Sequence, residues 1–119
     1  MDKIGKMFYS TKIFDSQWDD MGLFDEDRRM LENEIANNPS IGTVIRGTGG
    51  LRKMRFALGG RGKSGGARVL YVDFIVYERI YLVYAYPKNE KQDITIEERE
   101  AFRRMIEKAK SDLGEQKHE

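Results

Sequence analysis

The residues best suited to chemistry in this sequence are cations gathered in one stretch of the chain. Residues 35–72 contain no acidic side chain, and their basic side chains are Arg46, Arg52, Lys53, Arg55, Arg61, Lys63 and Arg68. The preceding residues, 15–34, hold eight acidic side chains against Arg28 and Arg29. The net charge of +1 therefore conceals a strong local positive field. We predict that this field binds a polyanion, with RNA favoured. The alternative is a solvated face whose counter-charges lie on another element.

Few residues of the types that commonly carry out catalysis are present in this sequence. The chain has no cysteine, and its single histidine, His118, is next to last. No histidine-based acid–base pair, catalytic triad or zinc–thiolate site can therefore be built. Since Glu97, Glu98 and Glu100 lack a convincing metal-ligand spacing, we predict neither a metal nor a cofactor. Cleavage of RNA by its own 2′-hydroxyl fits this inventory, because the protein then mainly orients the substrate and stabilises phosphate charge.

Two nucleotide-binding patterns overlap in the glycine-rich segment, and neither has its required context. Residues 57–64 (ALGGRGKS) fit a permissive phosphate-loop pattern, and Gly60, Gly62 and Gly65 form GxGxxG. Both motifs need a helix directly after the loop, so that its N-terminal amides hold the phosphates. An apolar strand pattern follows instead, so we predict that no nucleotide is bound. The glycines then serve either close approach to an RNA phosphate or turn geometry alone.

Hydrophobic periodicity predicts the strands that position the cations. Alternation over residues 51–58 predicts a strand with Lys53 and Arg55 side by side on its open face. Other strands are predicted at residues 6–14, 43–46, 67–76 and 79–86. The tyrosines crowded onto the last two strands are expected mainly to pack, with one or two at a strand end able to stack on a base.

Two helices complete the predicted fold, after a short acidic stretch at residues 15–22 for which at most one helical turn is predicted. The first spans residues 24–38, with Phe24, Leu31 and Ile35 on the buried face, Met30 beside them and Pro39 as its stop. The second begins at the capping box formed by Thr95 and Glu98 and ends at Gly114.

The order of elements predicts an α+β domain spanning residues 1–119, with an antiparallel or mixed sheet of four to five strands and helices on one side. We expect the tail after residue 114 to be disordered. No apolar run approaches the ~18 residues of a membrane span and no secretory signal is visible, so a cytoplasmic location is predicted.

Three runs resemble the RelE/ParE superfamily of bacterial toxins, and the RelE-like HigB branch most closely: residues 47–57 (GTGGLRKMRFA), 60–71 (GRGKSGGARVLY) and 81–95 (YLVYAYPKNEKQDIT). The resemblance implies a microbial-RNase-like sheet and ribosome-dependent endoribonuclease activity on mRNA, which inhibits translation. It also implies as partners the ribosome, mRNA and a cognate antitoxin, expected to be a helix-turn-helix DNA-binding protein.

The resemblance implies five site residues by position, which are Lys53, Arg55, Lys63, Arg68 and Lys88. Tyr86 is added for its proximity in sequence, and Arg52, Arg61 and Lys91 are added as neighbouring cations. The residues expected to act in catalysis are Lys63, Arg68, Lys88 and Tyr86. Those expected to bind RNA are Arg52, Lys53, Arg55, Arg61 and Lys91. The C-terminal tyrosine of some RelE proteins has no counterpart, because Asp93, Ile94 and Thr95 occupy that region. The general acid and base are therefore open, with Tyr86, Tyr71 and Glu90 as candidates.

Two other functions remain open at this point. One is a ParE-like inhibitor of DNA gyrase that cuts no RNA, and the other is an inactive, RNA-binding relative. The antitoxin is expected to dock either on the acidic and apolar N-terminal part (Trp18, Leu23, Phe24) or on the basic groove itself.

Overall fold

The two apolar runs predicted as central strands form the middle of a five-stranded sheet. A computed structural model describes residues 6–57, 66–90 and 93–117. Its elements are β1 (Met7–Ser10), α1 (Lys12–Asp20), α2 (Asp25–Asn37), β2 (Thr43–Val44), β3 (Leu51–Phe56), β4 (Ala67–Phe74), β5 (Arg79–Pro87) and α3 (Ile96–Lys117). The strand order is β1-β5-β4-β3-β2, with β1 parallel to β5 and the other pairs antiparallel. The predicted α+β class with a mixed sheet is confirmed.

Helices cover both faces of the sheet, so the prediction of helices on one side was wrong. Val69 and Tyr71 pack with α1 and α2, whereas the alternate residues Leu70 and Val72 pack with α3. Successive strand residues point to opposite faces, and β4 is apolar on both. Each face of the sheet therefore has to be buried by a separate set of helices.

Helix α1 replaces the end of the predicted first strand and the acidic stretch after it. The side chain of Thr11 accepts a hydrogen bond from the Phe14 amide at 3.0 Å and so caps the helix. Phe14 and Trp18, four residues apart, are buried against the sheet. The first strand, which was predicted to run to residue 14, therefore ends at Ser10.

Helix α2 begins and ends close to the predicted bounds. Leu31 and Ile35 are fully buried as predicted, but Phe24 is 60% exposed and Met30 59% exposed. The Phe24 amide donates to the Asp27 carboxylate at 2.8 Å, which places Phe24 at the cap rather than on the packed face. Met30 lies beside the packed face, on the solvent side.

Helix α3 starts at the predicted capping box and runs past its predicted end. The Glu98 amide donates to Thr95 Oγ1 at 3.0 Å, and Glu98 Oε1 accepts from the Thr95 amide at 2.8 Å. The helix continues through Gly114 to Lys117. Gly114 therefore does not end the helix, and a Cβ there would meet the Tyr77 hydroxyl only at an ordinary contact distance of 3.5 Å. No helix within the described ranges is long and apolar enough to cross a membrane.

Tyr71 ties the segment between α2 and β2 to the sheet. Its buried phenol donates to the Pro39 carbonyl at 2.7 Å and accepts from the Gly42 amide at 3.0 Å. Burial raises the pKa of Tyr71 above its usual value.

We expect Tyr71→Phe to lower the free energy of unfolding by about 1–3 kcal/mol, because two backbone groups lose their partner. The unfolded chain ionises this phenol first, so stability is complete below about pH 10 and falls as the pH rises toward the raised pKa of Tyr71. In Tyr71→Phe the contribution of this phenol to the loss of folding stability at alkaline pH is absent. Urea denaturation at neutral and alkaline pH measures both effects, and an alkaline loss identical to that of the wild type would contradict the second.

Candidate nucleic-acid interface

Three of the predicted site residues form one row across the sheet. Arg55 of β3 lies directly opposite Arg68 of β4, which lies directly opposite Tyr86 of β5. In the next row Lys53, Leu70 and Tyr84 are paired in the same way. Directly paired residues point to the same face, and Leu70 packs toward α3. Lys53, Arg55 and Arg68 therefore share the α3 face of the sheet.

The two arginines of this row carry uncompensated charge. Arg55 is exposed and Arg68 is half-buried, and no Asp or Glu in residues 6–57, 66–90 or 93–117 forms an ion pair with either. The Nε of Arg68 is buried and has no hydrogen-bond partner among these residues. Like charges directly opposite one another destabilise a sheet. An anion bound between them would relieve this repulsion and supply the missing acceptor.

Lys53 and Lys88 flank the arginine row. Lys53 Nζ lies 3.4 Å from Asp93 Oδ1, next to the start of α3. The Lys88 amide donates to the Gly66 carbonyl at 3.1 Å, which fixes the end of β5 beside the start of β4. Lys88 therefore follows Tyr86 at the same end of the sheet as Arg68.

One predicted site residue lies on the opposite face of the sheet, and three others fall outside the described residues. Arg52 points to the opposite face, where it donates from Nη1 to the Gly42 carbonyl at 2.6 Å. This hydrogen bond stabilises the segment that leads into β2. Because Arg52 comes one residue before Lys53 in the strand, its side chain is expected on the opposite face. Arg61, Lys63 and Lys91 lie outside the described residues.

The tyrosines mainly pack, as predicted. Tyr86 is only 2% exposed, and its ring centroid lies 5.9 Å from that of Tyr84. The Tyr84 hydroxyl donates to Glu98 Oε2 at 3.0 Å, and its ring lies 5.2 Å from the Phe102 ring. These contacts hold β5 against α3 and back the arginine row with rigid side chains.

The acid and base candidates differ in their placement. Tyr71 lies on the face opposite to the arginines and hydrogen-bonds to backbone groups, which separates it from the row. Glu90 is exposed in the turn after β5, where its amide donates to the Pro87 carbonyl. Within the described ranges no three His, Cys, Asp or Glu side chains are grouped to hold a metal ion. The adjacent guanidinium groups of Arg55 and Arg68 are suited to binding an anion such as phosphate.

Glu98 has a second role that its position in the sequence does not reveal. Its carboxylate caps α3 as predicted, and Glu98 Oε2 also accepts a hydrogen bond from Tyr84 on β5. One side chain thus joins the helix to the strand that carries Tyr86. The capping-box spacing was a signal for the first contact only.

Comparison with known proteins identifies the family. A family model described as the RelE toxin of the RelE/RelB toxin–antitoxin system matches residues 11–117. The chain belongs to the RelE toxin family. As a RelE-family member it is the toxin component of a toxin–antitoxin module, and its HigB-like character stays a prediction.

Solved structures share this RelE fold at low identity. A mutant of the E. coli toxin RelE in the free state is 15% identical with a TM-score of 0.52, and the match covers 75% of this chain and 90% of that chain. The isolated E. coli RelE toxin is 17% identical with a TM-score of 0.50, with 85% and 99% covered. The likeness therefore supports the fold, and the site is argued from this chain's own geometry.

Proposed function

We propose that this RelE-family toxin is a ribosome-dependent endoribonuclease that cleaves mRNA during translation. The observation that carries the proposal is the Arg55–Arg68 pair, two cations side by side on the α3 face without an ion-pair partner in the described part of the chain. A scissile phosphate is the ligand that such a pair fits, because guanidinium groups bind phosphate oxygens in a fixed planar geometry.

In the proposed reaction the substrate itself supplies the nucleophile. The 2′-oxygen of the substrate attacks the adjacent phosphorus, a 2′-O–P bond forms, and the P–O5′ bond breaks. The 2′-hydroxyl loses its proton and O5′ gains one, which leaves a 2′,3′-cyclic phosphate and a 5′-hydroxyl. Arg55 and Arg68 stabilise the charge that develops on the phosphoryl oxygens, since arginine stays protonated in proteins.

The remaining predicted cations have supporting roles in this proposal. Lys53 positions the RNA backbone, and Lys88 and Lys63 add positive charge at the scissile phosphate. Tyr86 supports Arg68 from the neighbouring strand. Arg61 and Lys91 extend the binding surface. The ribosome and mRNA are the proposed partners during cleavage, and a cognate antitoxin with a helix-turn-helix DNA-binding domain is the proposed partner at rest.

A translation reaction with purified protein tests the proposed function. We expect the message to be shortened in the presence of the wild type and to stay intact with the Arg55→Ala/Arg68→Ala double variant. A 2′-deoxy substitution at a mapped cut should abolish cleavage there, because it removes the nucleophile. Intact message together with inhibited DNA supercoiling by gyrase would instead support the ParE-like function.

A further inference from the structure

Arg99 near the start of α3 is a cation that the proposed site does not use. Its Nε is buried without a hydrogen-bond partner in the described residues, a property it shares with Arg68. It also forms no ion pair with a described acidic residue, whereas Arg103, one turn later, pairs with Glu100 at 2.9 Å and Glu107 at 2.8 Å. A positive charge near a helix N-terminus opposes the helix dipole. The helix dipole therefore disfavours a cation at this position, and the buried Arg99 Nε is left without an acceptor among the described residues.

The helix phase places Arg99 on the side of α3 that faces β3. Ile106 and Lys110 follow Arg99 by seven and eleven residues, which is about two and three helical turns. Ile106 Cγ2 lies 3.6 Å from the position of a Cβ at Gly49, and Lys110 Nζ donates to the Gly49 carbonyl at 3.0 Å. Gly49 precedes β3, so this flank of the helix runs along β3.

Distances along the helix axis and along the strand place Arg99 beside the basic residues of β3. Arg99 lies about 16 Å before Lys110 along the helix axis, at ~1.5 Å per residue. Lys53 and Arg55 lie about 13 and 20 Å beyond Gly49 along the strand, at ~3.3 Å per residue. The contact of Asp93 with Lys53 confirms that α3 starts at this level and runs antiparallel to β3.

We propose that Arg99 binds the RNA backbone at a phosphate next to the one held by Arg55 and Arg68. Helix α3 then forms the second wall of the RNA groove, and Glu98, through Tyr84, fixes the distance between this wall and the arginine row. The inference rests on the proposed RNA-binding function and adds a second phosphate position to it.

Salt-dependent binding of single-stranded RNA tests this inference. The probe is an oligonucleotide of about ten nucleotides, a length within the range that single-strand binding folds cover. The slope of log K against log salt is negative, and each lost phosphate contact reduces its steepness by about 0.7 for a single strand. We expect that decrease for Arg99→Ala and for Arg68→Ala, no change for the matched control Arg103→Ala, and a retained slope for Arg99→Lys.

The outcomes separate this inference from the proposed function. If the wild type cuts translated mRNA but Arg99→Ala and Arg103→Ala share one slope, only the role of Arg99 fails. If the slope becomes less steep for Arg99→Ala but neither the wild type nor any variant cuts mRNA, the second phosphate contact stands and the ribonuclease proposal fails. Loss of thermal stability or of antitoxin binding with an unchanged slope, or no measurable RNA binding by the wild type, would overturn the inference.

Discussion

We expect Arg68→Ala to lower the rate of the proposed mRNA cleavage by about 100-fold, the cost of removing one preorganised group that stabilises transition-state charge. The effect is large because Arg68 occupies the centre of the row, between Arg55 and Tyr86, with its Nε buried and unpartnered among described residues. Fold stability should fall little, since removing one of two adjacent like charges relieves repulsion. Cleavage is measured from the rate at which full-length message disappears under single-turnover conditions.

Two variants make the prediction specific to the guanidinium at this position. Arg68→Lys keeps the charge but loses bidentate geometry, so we expect partial activity between that of the wild type and Arg68→Ala. Arg103→Ala removes an arginine whose partners are both on its own helix, so we expect unchanged cleavage. Full activity of a folded Arg68→Ala protein would remove the basis of the site assignment.

Gly66→Ala destabilises the protein by about 3 kcal/mol or more, because two separate costs act at one residue. Gly66 has a φ of 70°, in the left-handed region that disfavours a Cβ. A Cβ there would also lie 2.5 Å from the Phe56 carbonyl oxygen, a backbone atom that cannot turn aside. The Gly66 carbonyl accepts the Lys88 amide, so the end of β5 is displaced as well.

The matched control for this variant is Gly47→Ala. Gly47 has a φ of 78°, but a Cβ there would meet nothing within 4 Å. It therefore measures the left-handed strain alone, about 1–2 kcal/mol. Urea denaturation gives both free energies of unfolding. Equal values for the two variants would show that the collision with Phe56 is relieved at no cost and would contradict the prediction.

The part of the site that could be predicted from the sequence is the part fixed by strand periodicity. Alternation alone placed Lys53 and Arg55 on one face of β3, and the structure has them there. The same alternation separates Arg52 from them. Its inclusion among the RNA-binding residues rested on its place in the basic block rather than on geometry.

The rest of the site depends on relations between elements that one strand or helix does not reveal. The pairing of Arg55 with Arg68 is set by the register between β3 and β4, across a connection whose conformation no local pattern determines. The placement of Arg99 depends on how α3 packs along β3, and the Glu98–Tyr84 hydrogen bond depends on the same packing. Sequence periodicity predicted α3 but not its position on the sheet.

The fold shows the same division between local and tertiary information. Helix α2 and the strands followed from apolar spacing. Helix α1 was predicted as at most one turn, and its start was wrong because that start depends on the hydrogen bond from the Phe14 amide to Thr11. The coverage of both sheet faces was missed although β4 is apolar on both. That continuous apolar character is typical of a strand buried on two sides.

Mapping the 5′ ends of a message in a translation reaction tests the central claim most directly. The wild type, Arg68→Ala and Arg103→Ala are each added to messages with and without engaged ribosomes. The account predicts new ends within translated codons, only on engaged messages, at equal levels for the wild type and Arg103→Ala and about 100-fold fewer for Arg68→Ala. An intact message with folded wild-type protein, or cuts that persist undiminished in Arg68→Ala, would contradict it.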